Sequence, residues 1–195
     1  MHPNLRKAFP RHWLDPLVGA LARTGMTPNV ITWLGFVLSA GAGALAALGA
    51  LPLAGWLSLL AGSLDMLDGA LARATNQASR FGALLDSTLD RYSELVLLGG
   101  LVLWSASRNA LDELLLAFAA LGGSLMVSYV KARAEALGFS CEVGVLTRPE
   151  RVIILGLGLI TGLVLPALAI IAVLANVTAV QRLIHVWWAA KDLDD

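Results

Sequence analysis

Leu64-Asp65-Met66-Leu67-Asp68-Gly69-Ala70-Leu71-Ala72-Arg73 and Phe81-Gly82-Ala83-Leu84-Leu85-Asp86-Ser87-Thr88-Leu89-Asp90-Arg91 each place two aspartates in a long apolar segment. Asp65 and Asp68 are three residues apart, and Asp86 and Asp90 are four apart, so each pair occupies one face of a helix. Segments of this length and polarity are candidates for membrane spans, where carboxylates are expensive to keep and mark functional sites. The connection between the two segments is short. They are therefore expected to be antiparallel neighbours with all four carboxylates converging near one end. Four converging carboxylates repel unless cations neutralise them. Hard oxygen donors suit Mg²⁺, Mn²⁺ or Ca²⁺, and four can hold two such ions, an arrangement that clamps the attacking and leaving oxygens of a phosphoryl displacement. Structural salt bridges are a poorer account, since Arg73, Arg80 and Arg91 do not balance four aspartates plus Glu94. Gly69, Ala72 and Gly82 would leave a groove beside the acids, or serve close helix packing.

Beyond these segments the whole chain has the character of a membrane protein. Of its 195 residues 57% are hydrophobic and only 14% charged, against about a quarter charged in soluble domains. Six apolar segments follow Thr27-Pro28-Asn29: about Asn29–Ala50, Ala54–Thr75, Phe81–Ala106, Leu111–Leu137, Pro149–Val164 and Pro166–Ala190. A turn is expected at Pro166. The fold expected is all-α, a polytopic membrane protein with six transmembrane helices and an N-terminal interfacial amphipathic helix. Residues 1–27 form the interfacial segment, 28–190 one six-helix domain and 191–195 a tail. Met1 to Thr27 interleaves Arg6, Lys7, Arg11 and Arg23 with apolar residues, which suits an interfacial helix and not a cleaved signal peptide. With six spans, 13 of the 14 basic residues share one side and only Arg108 lies on the other, so both termini and the aspartates are expected on the cytoplasmic face of the cell (inner) membrane. A net charge of zero gives no reason to expect nucleic acid as a partner. The single cysteine, Cys141, excludes an intrachain disulfide and a cysteine-based zinc site, and His2, His12 and His185 form no ligand cluster. His185, Trp187 and Trp188 suit an interfacial aromatic belt.

Written out, the pattern Asp65-x2-Asp68-Gly69-x2-Ala72-Arg73-x8-Gly82-x3-Asp86-x3-Asp90 resembles the signature of the CDP-alcohol phosphotransferase family (CDP-alcohol phosphatidyltransferases) at all eight fixed positions. The resemblance implies a transferase of phospholipid biosynthesis that moves a phosphatidyl-type group from a CDP-activated alcohol to an acceptor hydroxyl and releases CMP. It implies that Asp65, Asp68, Asp86 and Asp90 hold two divalent cations, Mg²⁺ or Mn²⁺, and that Asp90 is also the catalytic base. It places Gly69, Arg73, Ser79 and Gly82 on the CDP-lipid, together with Asn29, Val30, Ile31 and Thr32 at the start of the first span. A helix N-terminus is suited to phosphate.

Three further segments, Ser128–Ala136, Arg148-Pro149-Glu150-Arg151 and Val180-Gln181-Arg182-Leu183, are similar to bacterial phosphatidylinositol phosphate synthases within that family. That similarity implies CDP-diacylglycerol and inositol 1-phosphate as substrates. It also implies an acceptor-phosphate pocket of Lys131, Arg151 and Arg182, with Arg133 and Arg148 as further candidates. Each base taken alone reads better as a side chain snorkelling to lipid headgroups, whereas together they could bind a dianionic phosphate. Family members are often homodimers. The alternatives are phosphatidylglycerol phosphate synthase chemistry with glycerol 3-phosphate, an archaeal-type lipid donor, and a divalent-cation transporter. Transport would require polar groups through the far halves of the spans, which carry almost none.

Overall fold

A computed structural model describes residues 15–194, and among them it contains helices and no strand. The helices are α1 (Asp15–Arg23), α2 (Pro28–Ala47), α3 (Leu51–Ala74), α4 (Arg80–Ser107), α5 (Leu111–Ala136), α6 (Arg148–Thr161) and α7 (Val164–Asp194). Each of the six apolar segments becomes one helix, and the ends follow local chemistry. Thr27 stands at the N-cap position of α2 in extended backbone, without a side-chain capping hydrogen bond, and Pro28 opens the first turn. Ser79 caps α4 by accepting a hydrogen bond from the Gly82 N–H at 2.9 Å. Thr147 and Glu150 form a reciprocal capping box on α6. The turn before α7 lies at Gly162, whose φ of 76° is the left-handed region that glycine enters without penalty, and not at Pro166, which falls inside the first turn of α7. The tail assigned to 191–195 continues α7 as far as Asp194.

By length and composition α2, α5 and α7 are able to cross a membrane. Three of the expected six spans meet that criterion, and α3, α4 and α6 fall outside it for identifiable reasons. α3 and α4 carry their aspartates and arginines through one half, and the 14 residues of α6 extend about 21 Å against a hydrocarbon core of about 30 Å. Most of the expected interfacial segment, with Arg6, Lys7 and Arg11, lies outside the described residues. Its described part, α1, buries Val18 against Ile31, Leu67 and Leu71 and leaves Leu17 exposed.

The six long helices pack in a ring, α2 on α3, α3 on α6, α6 on α7, α7 on α5, α5 on α4 and α4 back on α2. This corrects the expectation that the two aspartate-bearing helices are packed neighbours. α3 and α4 each lie along α2 and meet mainly through their carboxylates. The ring is drawn tight by small residues. A Cβ at Gly43 would strike the Val96 carbonyl, and one at Gly100 would strike the Gly43 backbone. A Cβ at Gly55 would stand 2.7 Å from the Gly156 carbonyl, fixing α3 to α6 in the same way. Backbone contact of this kind is how helices associate where lipid removes the hydrophobic drive between them. Gly100→Val should therefore cost about 1–3 kcal/mol of overpacking. Thermal denaturation of detergent-solubilised protein should show a lowered Tm, while Gly99→Val, whose added Cβ meets nothing within 4 Å, serves as the control.

Candidate metal and phosphate site

The aspartates meet at one end of the ring. Carboxylate oxygens of Asp65, Asp68 and Asp86 lie within 4.8 Å of one another. Asp68 is 4% exposed and accepts a 2.7 Å hydrogen bond from the Thr32 hydroxyl of α2. Asp90 stands one turn beyond Asp86 and is held by Arg148, whose two Nη atoms reach Asp90 Oδ1 at 2.8 Å and Asp65 Oδ2 at 2.5 Å. Arg148 thus bridges α3 and α4 from α6 and is paired with the aspartates. Thr32, Asp65, Asp68, Asp90, Ser93 and Arg148 all line one small cavity.

Three carboxylates this close carry more negative charge than one arginine offsets. Asp86 Oδ1 is also buried with no hydrogen-bond partner among the described residues. A buried carboxylate oxygen left unpaired is costly, and a hard divalent cation at this point would satisfy it while relieving the repulsion. The donor set therefore fits a divalent cation.

The residues expected to meet the CDP-lipid divide. Asn29, Ser79 and Gly82 come together, for a Cβ on Gly82 would stand 3.0 Å from Ser79 Oγ and 3.2 Å from Asn29 Oδ1. Arg73, one turn beyond Gly69, folds back over it, with Nη1 3.4 Å from where a Cβ would be. Thr32 is committed to Asp68, and Val30 is exposed. The side chain of Ile31 is 2% exposed and belongs to the cluster formed by Val18, Leu67 and Leu71, so what Ile31 can offer a phosphate is its backbone at the start of α2.

The basic residues converge on the 137–147 connection. Lys131 pairs with Glu142 at 3.1 Å and Glu135 at 3.5 Å. Arg182 donates to the carbonyls of Val143 at 2.8 Å and Val127 at 2.6 Å, contacts that neutralise none of its charge. Arg151 donates through Nη1 to the Leu146 carbonyl at 3.5 Å. Thr178 accepts from the Leu146 N–H and His185 meets the Ser140 carbonyl, so α7 straps the same connection in two more places. Cys141 is buried within it. Burial pushes its thiol up against the opposing pull of Arg182 and Lys131. Arg133 is exposed and apart from this group.

Glu94 was given no role in the sequence, yet its carboxylate takes Arg151 side-on, Oε1 from Nε at 2.6 Å and Oε2 from Nη2 at 3.0 Å. The signal was present. Asp86, Asp90 and Glu94 continue one face of α4 at steps of four, deeper into apolar sequence.

Residues 25–190 match the family described as CDP-alcohol phosphatidyltransferase. The chain is 37% identical to archaetidylinositol phosphate synthase of Methanothermobacter thermautotrophicus, covering 93% of this chain and 92% of the relative. It is 40% identical to phosphatidylinositol phosphate synthase of Mycobacterium tuberculosis, covering 98% and 94%. The crystal structure of the M. tuberculosis synthase with CDP-DAG bound superposes with a TM-score of 0.81 at 35% identity, covering 88% of this chain and 92% of that one. The structure of the same synthase with manganese and citrate gives a TM-score of 0.80 at 35% identity, covering 88% of each.

Proposed function

We propose that this chain, which belongs to the CDP-alcohol phosphatidyltransferase family, is a transferase that moves a phosphatidyl group from CDP-diacylglycerol to inositol 1-phosphate, giving phosphatidylinositol phosphate and CMP. The observation that carries the acceptor assignment is the gathering of Lys131, Arg151 and Arg182, from three helices, on one connection at the aspartate end of the bundle. Two relatives named for different lipid groups, archaetidyl and phosphatidyl, are both named as synthases of a lipid-linked inositol phosphate, which supports the same acceptor here.

Asp65, Asp68, Asp86 and Asp90 would hold two divalent cations, Mg²⁺ or Mn²⁺. Bound there, they supply charge neutralisation of the pyrophosphate and of the oxygens exchanged at phosphorus. Asn29, Ser79, Gly82, Gly69 and Arg73 are the residues grouped to receive the cytidine diphosphate. Asp90 takes the proton of the acceptor hydroxyl as that oxygen bonds to the lipid-bearing phosphorus, and the bond from that phosphorus to CMP breaks. The acceptor phosphate rests against Lys131, Arg151 and Arg182, which turns the hydroxyl toward Asp90. A soluble acceptor and an amphiphilic donor require a site open to both water and lipid. The same reading has all six long helices crossing a cell (inner) membrane, α1 in the interface, both termini and the site cytoplasmic, and the enzyme a homodimer.

Purified enzyme with CDP-diacylglycerol, Mg²⁺ and a panel of acceptors, followed by CMP release, tests this. Inositol 1-phosphate should react well and free inositol and serine poorly. Preference for glycerol 3-phosphate would reassign the acceptor, and preference for a CDP-activated archaeal-type lipid would reassign the donor. A charge-assisted contact is worth about 1.5–3 kcal/mol, so Arg182→Ala should raise the acceptor KM about 10- to 150-fold and leave the donor KM unchanged. Arg182→Lys should recover only part, since lysine lacks the planar fork.

A further inference from the structure

We propose that Glu94 is a positioning residue for acceptor recognition: its carboxylate locks the Arg151 guanidinium so that the Nη1 edge faces the acceptor phosphate. The inference rests on the acceptor-site reading of Arg151. Glu94 and Arg151 lie at 9% and 2% exposure on α4 and α6, two helices that are not neighbours in the ring. They touch directly beside a small cavity with room for about two water molecules, walled largely by Leu97, Leu98, Leu155 and Ile171, into which Ser58, Ser93, Ser124 and Arg148 bring further polar groups. Stability alone does not call for an ion pair here. A buried pair is often no more stabilising than apolar side chains of the same volume, and the rest of the bundle is already apolar.

The geometry is that of a fixture. Arginine has five N–H donors in one plane. Glu94 takes the Nε side, with Oε1 at 2.6 Å from Nε and Oε2 at 3.0 Å from Nη2, which sets the plane and the rotation of the group. Nη1 is left pointing to the 137–147 connection, where its contact with the Leu146 carbonyl is long at 3.5 Å. Lys131 and Arg182 are anchored to that same connection through Glu142 and Val143. A phosphate held by those two cations would find the Nη1 edge, engaged so far in that one long contact, already aimed, with no long side chain left to order on binding. One turn earlier on α6, Arg148 joins Asp90 by the same logic. Two arginines three residues apart thus meet two acids four residues apart and set the spacing between acceptor phosphate and base.

Steady-state kinetics of Glu94→Gln, Glu94→Asp, Arg151→Ala and the exchange Glu94→Arg/Arg151→Glu test the proposal, with CDP-diacylglycerol binding as the check of folding. Losing the partner that orients a metal ligand costs about 10- to 100-fold, and an oriented guanidinium is expected to follow the same scale. Glu94→Gln should raise the inositol 1-phosphate KM by about that factor, with donor KM and kcat at saturating acceptor within about twofold. Glu94→Asp keeps the charge and should recover part of the loss. If Glu94→Gln is not recovered folded, the exchange carries the test. It restores an ion pair between α4 and α6 but turns the guanidinium away, so it should bind CDP-diacylglycerol normally and keep the raised acceptor KM. With Arg151→Ala impaired, a normal acceptor KM in Glu94→Gln or in the exchange would overturn the positioning role and leave the acceptor site standing. A normal acceptor KM in Arg151→Ala would overturn the acceptor-site reading itself, and the inference with it.

Discussion

Asp68→Asn and Asp86→Asn are each expected to lower CMP release about 10²- to 10³-fold, and excess EDTA to silence the unaltered enzyme. Asparagine keeps the volume of aspartate, so any loss belongs to the charge. Asp68 is buried and accepts from the Thr32 hydroxyl, while Asp86 keeps one buried oxygen without a partner among the described residues. Both carboxylates are thus placed to feel a cation directly. Removing one ligand charge weakens a hard-cation site, so part of the activity should return as Mg²⁺ or Mn²⁺ is raised. CMP release measured against metal concentration gives both numbers. Full activity in excess EDTA would refute a metal-dependent reaction at this cluster, and loss of activity without any dependence on added metal would show that the substitutions act through folding.

Asp90→Asn should separate binding from turnover. A positioned base contributes about 10²- to 10⁴-fold, so CMP release should fall by at least that factor. Asp90 lies at the edge of the three-carboxylate cluster, one of its oxygens held by Arg148 at 2.8 Å. The loss of one charge there should disturb CDP-lipid binding far less than turnover. Equilibrium binding of CDP-diacylglycerol beside single-turnover CMP release measures the two separately. Turnover at the unaltered rate would remove Asp90 as the base. Equal losses in binding and turnover would make it a ligand-site residue only.

Much of this was legible because helices write their faces into the sequence. The steps of three and four between aspartates, and the caps at Thr27, Ser79 and Thr147, needed only local spacing. Partnership is not local. Nothing in the spacing of residues 65–90 says that α2 lies along both aspartate helices, because a small-residue face suits many neighbours equally. The Arg148–Asp65 contact joins residues 83 apart, and Arg151–Glu94 joins residues 57 apart. Charge pattern alone left Arg148 with the acceptor bases, and only the folded bundle assigns it to the aspartates. Ile31 was grouped with polar neighbours in sequence, yet α1 covers it with Val18, a tertiary choice that periodicity does not record.

The glycine contacts carry a mechanical consequence. Where Gly43 meets Gly100 and Gly55 meets Gly156, main chains press on main chains, and no rotamer is available to absorb a displacement. The opposite end is joined by long arginine and lysine side chains whose contacts can lengthen or exchange. Strain on the bundle is thus resisted at the apolar end by covalent backbone with nowhere to turn, and at the aspartate end by side-chain ion pairs, so that a bulky substitution is expected to be tolerated worse behind the site than at its mouth.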